Sequence, residues 1–286
     1  MPAFRDKLQA AQARSGSWLC VGLDPDPARV PELHELKGPG GLAAFCTAIV
    51  EATADAVSAF KPNLAFFLAH GVEGLRALEQ VRAAIPADIP VILDAKFGDI
   101  GNTQHQYGRA AFEALGADAV TVSPYVGDDA VLPLAEAYPG RGLFVLARTS
   151  NPAAGRFQDH PGEPPHVYEQ VASTVQAWQQ AHPASTLGLV VGATYKAELE
   201  ALRALAPELP FLIPGVGAQG GTPGAAVAYG PTADGLGPVI NASRGVLYAS
   251  PGADYADAAR QAALQLNATI HELRERSEQR ASQHSG

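Results

Sequence analysis

The chain has 286 residues, 47% hydrophobic and 17% charged, a globular composition with enough apolar material for a sizeable core. Its formal net charge of −9 comes without a basic stripe, which excludes the footprint of a nucleic-acid binder and obliges an anionic small substrate to find a local basic site. No apolar run approaches the ~18 residues of a membrane span, and the charged, helix-like opening lacks the layout of a secretory signal, so a cytoplasmic location is expected.

In chain order, FRDKLQAAQARSG (4–16) reads as a helix that plugs the bottom of the fold. Strand WLCVGLD (18–24) leads to helix 41–55, strand AVSAFKPN (56–63) to helix 71–85, and the β-branched strand IPVILDAK (89–96) to helix 101–115. Strand 117–124 is followed by helix 128–138, strand GLFVLARTS (142–150) by helix 167–181, and strand 187–194 by helix 195–206. Strand PFLIPGVG (210–217), the short helix 222–229, strand PVINAS (238–243) and a long helix over 254–276 complete the series, with a polar tail from about 277 that is expected to fray. Cys20 and Cys46 lie in apolar runs and read as buried thiols. Asn241-Ala-Ser and Asn267-Ala-Thr read as chance glycosylation triplets.

Eight strands, each followed by a helical stretch, predict a parallel sheet with right-handed crossovers, and eight units fit a closed (β/α)8 barrel, with a doubly wound open sheet as the alternative. No composition shift marks an interior boundary, so 1–286 is expected to form a single domain. One connection stands out: 151–166, NPAAGRFQDHPGEPPH, is long and rich in proline and glycine, which suits a lid, an interface or a plain surface insertion.

In a barrel, chemistry collects at the C-terminal strand ends. Those ends carry Asp24, Lys61, Asp94 with Lys96, Ser150, a glycine run at 215–221 and Arg244. Residues two apart on a strand share a face, so Asp94 and Lys96 point together; Asp99 follows after Gly98, and Lys61 ends the neighbouring strand. Together they are expected to form a Lys–Asp–Lys–Asp array whose opposite charges keep one another ionised. Gly215-Val-Gly217-Ala-Gln-Gly220 has the G-x-G-x-x-G spacing of a dinucleotide fingerprint, but it follows the seventh strand, where barrels bind phosphate through backbone N–H groups. Arg244 adds a guanidinium suited to phosphate. The eight histidines show no metal-ligand spacing, and no metal or other cofactor is expected; His70 and His105 read as solvent-exposed.

The segment DAKFGDIGNT (94–103), a D-x-K-x-x-D motif, resembles the orotidine 5′-monophosphate decarboxylase family. VGLDPD (21–26), FKPN (60–63), PGVGAQGG (214–221) and NASRG (241–245) strengthen the likeness in barrel order, and the extended loop after LARTSN (146–151) is similar to the longer bacterial branch. The resemblance implies a (β/α)8 barrel, a homodimer with active sites at the subunit interface, and conversion of orotidine 5′-monophosphate to uridine 5′-monophosphate, the last step of UMP biosynthesis. It implies that Lys96 protonates C6 of the pyrimidine, that Asp94 lies beside the departing carboxylate, and that Lys61 orients the array and contacts the ribose. Asp99 and Thr103 resemble residues that reach into the partner's site, and Asp24 the ribose-binding aspartate. Ser150 matches the pyrimidine-recognising serine, with Thr149 adjacent. Pro214, Gly217, Gln219 and Gly220 belong to the phosphate loop, Gln219 as its glutamine, and Arg244 matches the phosphate-binding arginine. Two alternatives stand beside this reading. One is a Mg²⁺-dependent sugar-phosphate lyase of the same superfamily, disfavoured because Lys61 stands where that branch places an acid; the other is a non-catalytic phosphate-binding barrel.

Overall fold

The computed structural model describes residues 2–38, 40–193, 196–216 and 223–284, with side chains through Gln279. Eight parallel strands carry the expected order: β1 (Leu19–Leu23), β2 (Ala59–Pro62), β3 (Ile92–Phe97), β4 (Ala119–Val122), β5 (Gly142–Arg148), β6 (Thr186–Val191), β7 (Phe211–Pro214) and β8 (Val239–Ala242). Hydrogen bonding runs β2-β1-β8-β7-β6-β5-β4-β3. Two parallel bridges, Phe60 to Val91 and Asn63 to Asp94, bring β2 against β3 and close the ring. The closed barrel, not the open sheet, is therefore the fold.

The helices are α1 (Phe4–Ser15), α2 (Gly41–Thr53), α3 (Leu64–Leu68), α4 (Gly71–Ala84), α5 (Gly101–Gly108), α6 (Leu132–Ala137), α7 (Gly155–Gln158), α8 (Val167–Ala181), α9 (Lys196–Leu205), α10 (Pro223–Tyr229), α11 (Arg244–Leu247) and α12 (Tyr255–His284). Three short helices add to the expected set, one of them α11 just beyond β8. The first, α3, starts where Asn63 Oδ1 accepts the Ala65 N–H at 3.2 Å, an N-cap that its sequence allows. The second, α7, lies inside the 151–166 connection. Helix α5 continues as a π-helical stretch over Arg109–Ala114. The polar C-terminal stretch does not fray at 277: α12 runs on to His284, extending a helix anchored on the barrel by buried Ala259, Ala263 and Ile270.

Strand periodicity sorts the barrel interior into layers. Cys20, Ala59, Ile92, Ala119, Phe144, Val190, Leu212 and Val239 form one buried apolar cluster inside the barrel, into which α1 inserts Phe4 and Leu8. The Phe4 and Phe144 rings meet edge to face at 5.7 Å. At this lower end the Lys7 ammonium pairs with Asp118 at 2.7 Å, and Asp118 also accepts the Val91 N–H at 2.9 Å. So α1 closes the bottom of the barrel, as its sequence predicts. The alternate residues, among them Leu19, Val21, Phe60, Leu93, Val120, Val145 and Leu189, face the helices in a second, larger core. Both cysteines are buried free thiols, and burial, only partly opposed by Lys61, pushes the Cys20 thiol up to about 12.

Candidate active site

One step further along four of the strands, the inward positions turn polar: Lys61 two residues beyond Ala59, Asp94 beyond Ile92, Thr121 beyond Ala119, Asn241 beyond Val239. These residues line a cavity of about 490 Å³ at the C-terminal mouth, together with Asp24, Lys96, Ser150, Pro214 and Arg244. Gly22 keeps this layer open to its neighbours. A Cβ there would fall 2.0 Å from Ser243 Oγ and 3.0 Å from Asn241 Oδ1, so no larger residue fits without displacing both.

Asp94 is the hub. Its Oδ2 accepts from Lys61 Nζ at 2.7 Å, its Oδ1 accepts from Lys96 Nζ, and the Thr121 hydroxyl donates to Oδ1 at 3.1 Å. Side-chain exposure falls from 50% at Lys96 to 11% at Asp94 and 4% at Lys61, so Lys96 is the ammonium offered to the cavity and Lys61 the one held behind it. Burial alone would raise the Asp94 pKa, but the two flanking ammonium groups overcome it and hold the carboxyl well below the usual carboxylate range. Burial likewise opposes the Lys61 charge, and the carboxylates of Asp94 and Asp24 outweigh it, raising Lys61 above its ordinary value. Asp94 and Lys61 thus stay ionised together at neutral pH.

The expected regular strand over 89–96 is broken at this hub. The β3–β4 register shifts between Leu93 and Phe97, and Lys96 sits at φ 53°, the sole non-glycine with positive φ among the described residues. Such a conformation costs about 1–3 kcal/mol and persists where its surroundings enforce it. Here Thr121 enforces it: its Oγ1 accepts the N–H groups of Ala95 at 3.0 Å and Lys96 at 2.9 Å while its own proton goes to Asp94. Thr121 was not singled out in the sequence, because a lone Thr in an apolar strand carries no motif. Asn63, Asn241 and Ser243 also line the cavity; they fall within FKPN (60–63) and NASRG (241–245) but were not singled out, and a polar residue at or just beyond the C-terminal end of a strand is the signal that finds them.

Asp24 Oδ1 and Asn241 Oδ1 are buried in this cavity wall with no hydrogen-bond partner among the described residues, two acceptors that a hydroxyl-bearing ligand would satisfy. The Asp24 backbone is fixed from the end of α11: the Tyr248 hydroxyl donates to Asp24 O at 2.8 Å and accepts the Asp26 N–H at 2.7 Å. Arg244 opens α11 rather than ending the last strand, which stops at Ala242. Ser150 and Thr149 both line the cavity just beyond β5, which ends at Arg148 and not at 150.

The four-charge array is not assembled within one chain: Lys61, Asp94 and Lys96 converge, whereas Asp99 forms no ion pair with either lysine among the described residues. Gly98 turns the chain away, Asp99 Oδ1 accepts the Ile100 N–H at 2.8 Å, and Phe97 stacks on Tyr107 at 4.3 Å to hold α5 aside. Asp99 lines an adjoining cavity of about 560 Å³ whose wall also includes Asn63, Asp94 and Lys96, and Thr103 is exposed on α5. Gly217, Gln219 and Gly220 lie outside the described residues. His70 and His105 are exposed, and Asn267 is engaged by Ser17 and the Ala56 carbonyl. Among the described residues no three His, Cys, Asp or Glu side chains are grouped to hold a metal ion, and no helix is long and apolar enough to cross a membrane.

A closed parallel barrel with ionised lysine and aspartate at the C-terminal mouth defines the class as a TIM-barrel enzyme. Residues 17–261 match the family model described as Orotidine 5′-phosphate decarboxylase / HUMPS family. The chain belongs to that family. A relative from Verminephrobacter eiseniae named orotidine 5′-phosphate decarboxylase is 50% identical over 281 residues, covering 95% of this chain and 99% of the relative. One of the same name from Thermomicrobium roseum is 47% identical, covering 95% and 96%. Among solved structures, Leishmania donovani OMP decarboxylase superposes with a TM-score of 0.81 at 39% identity over 95% of this chain and 98% of that one.

Proposed function

We propose that this chain decarboxylates orotidine 5′-monophosphate to uridine 5′-monophosphate, and that the Lys61–Asp94–Lys96 cluster carries the chemistry. Relatives of that name matching nearly end to end support the reaction; the observation behind the residue roles is the doubly paired Asp94 with Lys96 open to the cavity.

Loss of CO₂ from C6 leaves a carbanion on an sp² carbon with little resonance relief. Enzymes lower barriers by about 8–23 kcal/mol, and preorganised charge is usually the largest contribution. In this reading the Lys96 ammonium faces C6, stabilises the developing carbanion and delivers its proton there once the C–C bond has broken. Asp94 lies beside the departing carboxylate, and its electrostatic repulsion is relieved as neutral CO₂ leaves. Lys61 keeps Asp94 ionised and oriented and contacts the ribose. Asp24 takes a ribose hydroxyl, Ser150 the pyrimidine, and Arg244 the phosphate with Pro214, Gly217, Gln219 and Gly220. Binding at the remote phosphate holds the ring against the Asp94 repulsion. None of these steps calls on a metal or an organic cofactor.

The same reading makes the protein a cytoplasmic homodimer of single-domain barrels, with Asp99 and Thr103 completing the neighbouring subunit's site. The exposed apolar side chains of Leu68 and Ile100 beside Asp99 support a covered face there.

A direct absorbance assay with orotidine 5′-monophosphate tests the reaction. The wild type is expected to turn it over, and Lys96→Ala to abolish turnover while still binding uridine 5′-monophosphate by calorimetry. Near-normal activity of Lys96→Ala would remove Lys96 from the mechanism, and an inert wild type would remove the reaction.

A further inference from the structure

The long 151–166 segment has no part in the chemistry proposed so far, yet two of its residues, Asn151 and Gln158, line the cavity that holds Lys61, Asp94 and Lys96. From the end of α7 the Gln158 side chain turns back to the end of β5. Gln158 Oε1 accepts the Thr149 N–H at 2.9 Å and Arg148 Nη1 at 3.2 Å, and Gln158 Nε2 donates to Thr149 Oγ1 at 2.8 Å. Thr149 Oγ1 passes its own proton to Asn151 Oδ1 at 2.7 Å. Just here the β5–β6 register shifts, pairing Arg148 with Val191, and the ladder ends. The glutamine amide thus takes the place of a neighbouring strand for the first residue beyond the sheet.

The turn of chain that carries Gln158 is itself fastened. Arg148, 4% exposed, pairs with Asp159 at 3.1 Å, so the residue after Gln158 is tied to the residue before Thr149. From the other side, Gly192 presses on Ser150: a Cβ at Gly192 would fall 2.9 Å from Ser150 Cβ and 3.0 Å from its backbone N. The Thr149–Ser150 peptide is clamped between the end of β6 and the Gln158 amide, with its serine at the cavity wall.

We infer that Gln158 is a positioning residue, which acts through Thr149 to set Ser150 against the pyrimidine end of the substrate, so that the 151–166 segment is part of base recognition rather than a surface insertion. The inference rests on the decarboxylase reading. It predicts an effect confined to one end of the ligand, because the hydrogen bonds described for Gln158 and Thr149 go to each other, Arg148 and Asn151, and not to Arg244 or Asp24, which this reading puts at the phosphate and ribose end.

The test uses the full chain carrying Gln158→Met, which keeps the length and loses all three hydrogen bonds, with Gln158→Ala as a second variant. A misplacement near 1 Å costs about 100-fold, and kcat/KM for orotidine 5′-monophosphate is expected to fall on that scale. Affinity for uridine 5′-monophosphate is expected to fall as well, while affinity for ribose 5-phosphate, which lacks the base, stays at the wild-type value. A merely structural role would weaken both ligands in parallel, and that result, or wild-type kcat/KM in Gln158→Met, would overturn the inference. Wild-type turnover measured alongside keeps the two ideas apart. An inactive wild type sinks the decarboxylase reading, whereas an active wild type with an equally active Gln158→Met sinks only the role of Gln158.

Discussion

Asp94 is where the electrostatics of this protein are concentrated, and its substitution separates two titrations. Its carboxyl, depressed by two ammonium groups against the opposing effect of burial, contributes stability that is present above the ordinary carboxylate value of 3.8 and is lost as pH falls toward the folded value. Lys61 is the mirror case. Its folded pKa is raised, so its contribution is complete below the ordinary value of 10.5 and is lost as pH rises through the higher folded value. In Asp94→Asn the main support of the Lys61 charge disappears while burial remains, so Lys61 should release its proton at lower pH. Melting temperatures between neutral and alkaline pH are expected to decline earlier in Asp94→Asn than in the wild type; parallel curves would mean that Lys61 does not depend on Asp94 for its charge. Removing Asp94 should also flatten the acid limb to which it contributes.

At the level of elements, the barrel separates stability from chemistry by its two ends. Helix α1 is held under the barrel by Phe4, Leu8 and the Lys7–Asp118 pair, whose side chains are 8% and 10% exposed. Breaking a buried pair by removing one partner costs about 3–5 kcal/mol, since the other charge is left behind. Lys7→Met leaves Asp118 with the Val91 N–H and with Arg141 at 3.8 Å, so a loss near the lower end, about 3 kcal/mol, is expected from urea unfolding. Turnover at 25 °C should be unchanged, because the Lys61–Asp94–Lys96 cluster proposed to carry the chemistry lies at the opposite end of the barrel. A drop in turnover without a shift in the urea midpoint would contradict this division.

For the whole molecule, the absence of an ion pair between Asp99 and either lysine among the described residues has a direct consequence. If Asp99 serves a neighbouring subunit, an inactive Lys96→Ala chain and an inactive Asp99→Ala chain, mixed and allowed to exchange, should recover activity, since one site of each mixed dimer receives intact residues from both chains. Absence of recovery in confirmed mixed dimers would assign Asp99 a role within its own chain or none.

The order of elements and the heart of the site were legible in the chain because their causes are local. Alternation with period two put Asp94 and Lys96 on one face, apolar runs followed by amphipathic stretches counted out eight β/α units, and the D-x-K-x-x-D spacing marked Asp94 and Lys96 while Lys61 was read from the end of the neighbouring strand. Only the tertiary structure decided which inward polar residues share the cavity, that Thr121 holds Lys96 in a left-handed turn, that Gln158 folds back from the following loop onto the end of β5, and that Asp99 forms no ion pair with either lysine among the described residues. Those outcomes depend on strand register, on where a bulge falls and on how a loop folds back. Each is set by packing between residues far apart in the chain, and local periodicity carries no record of it.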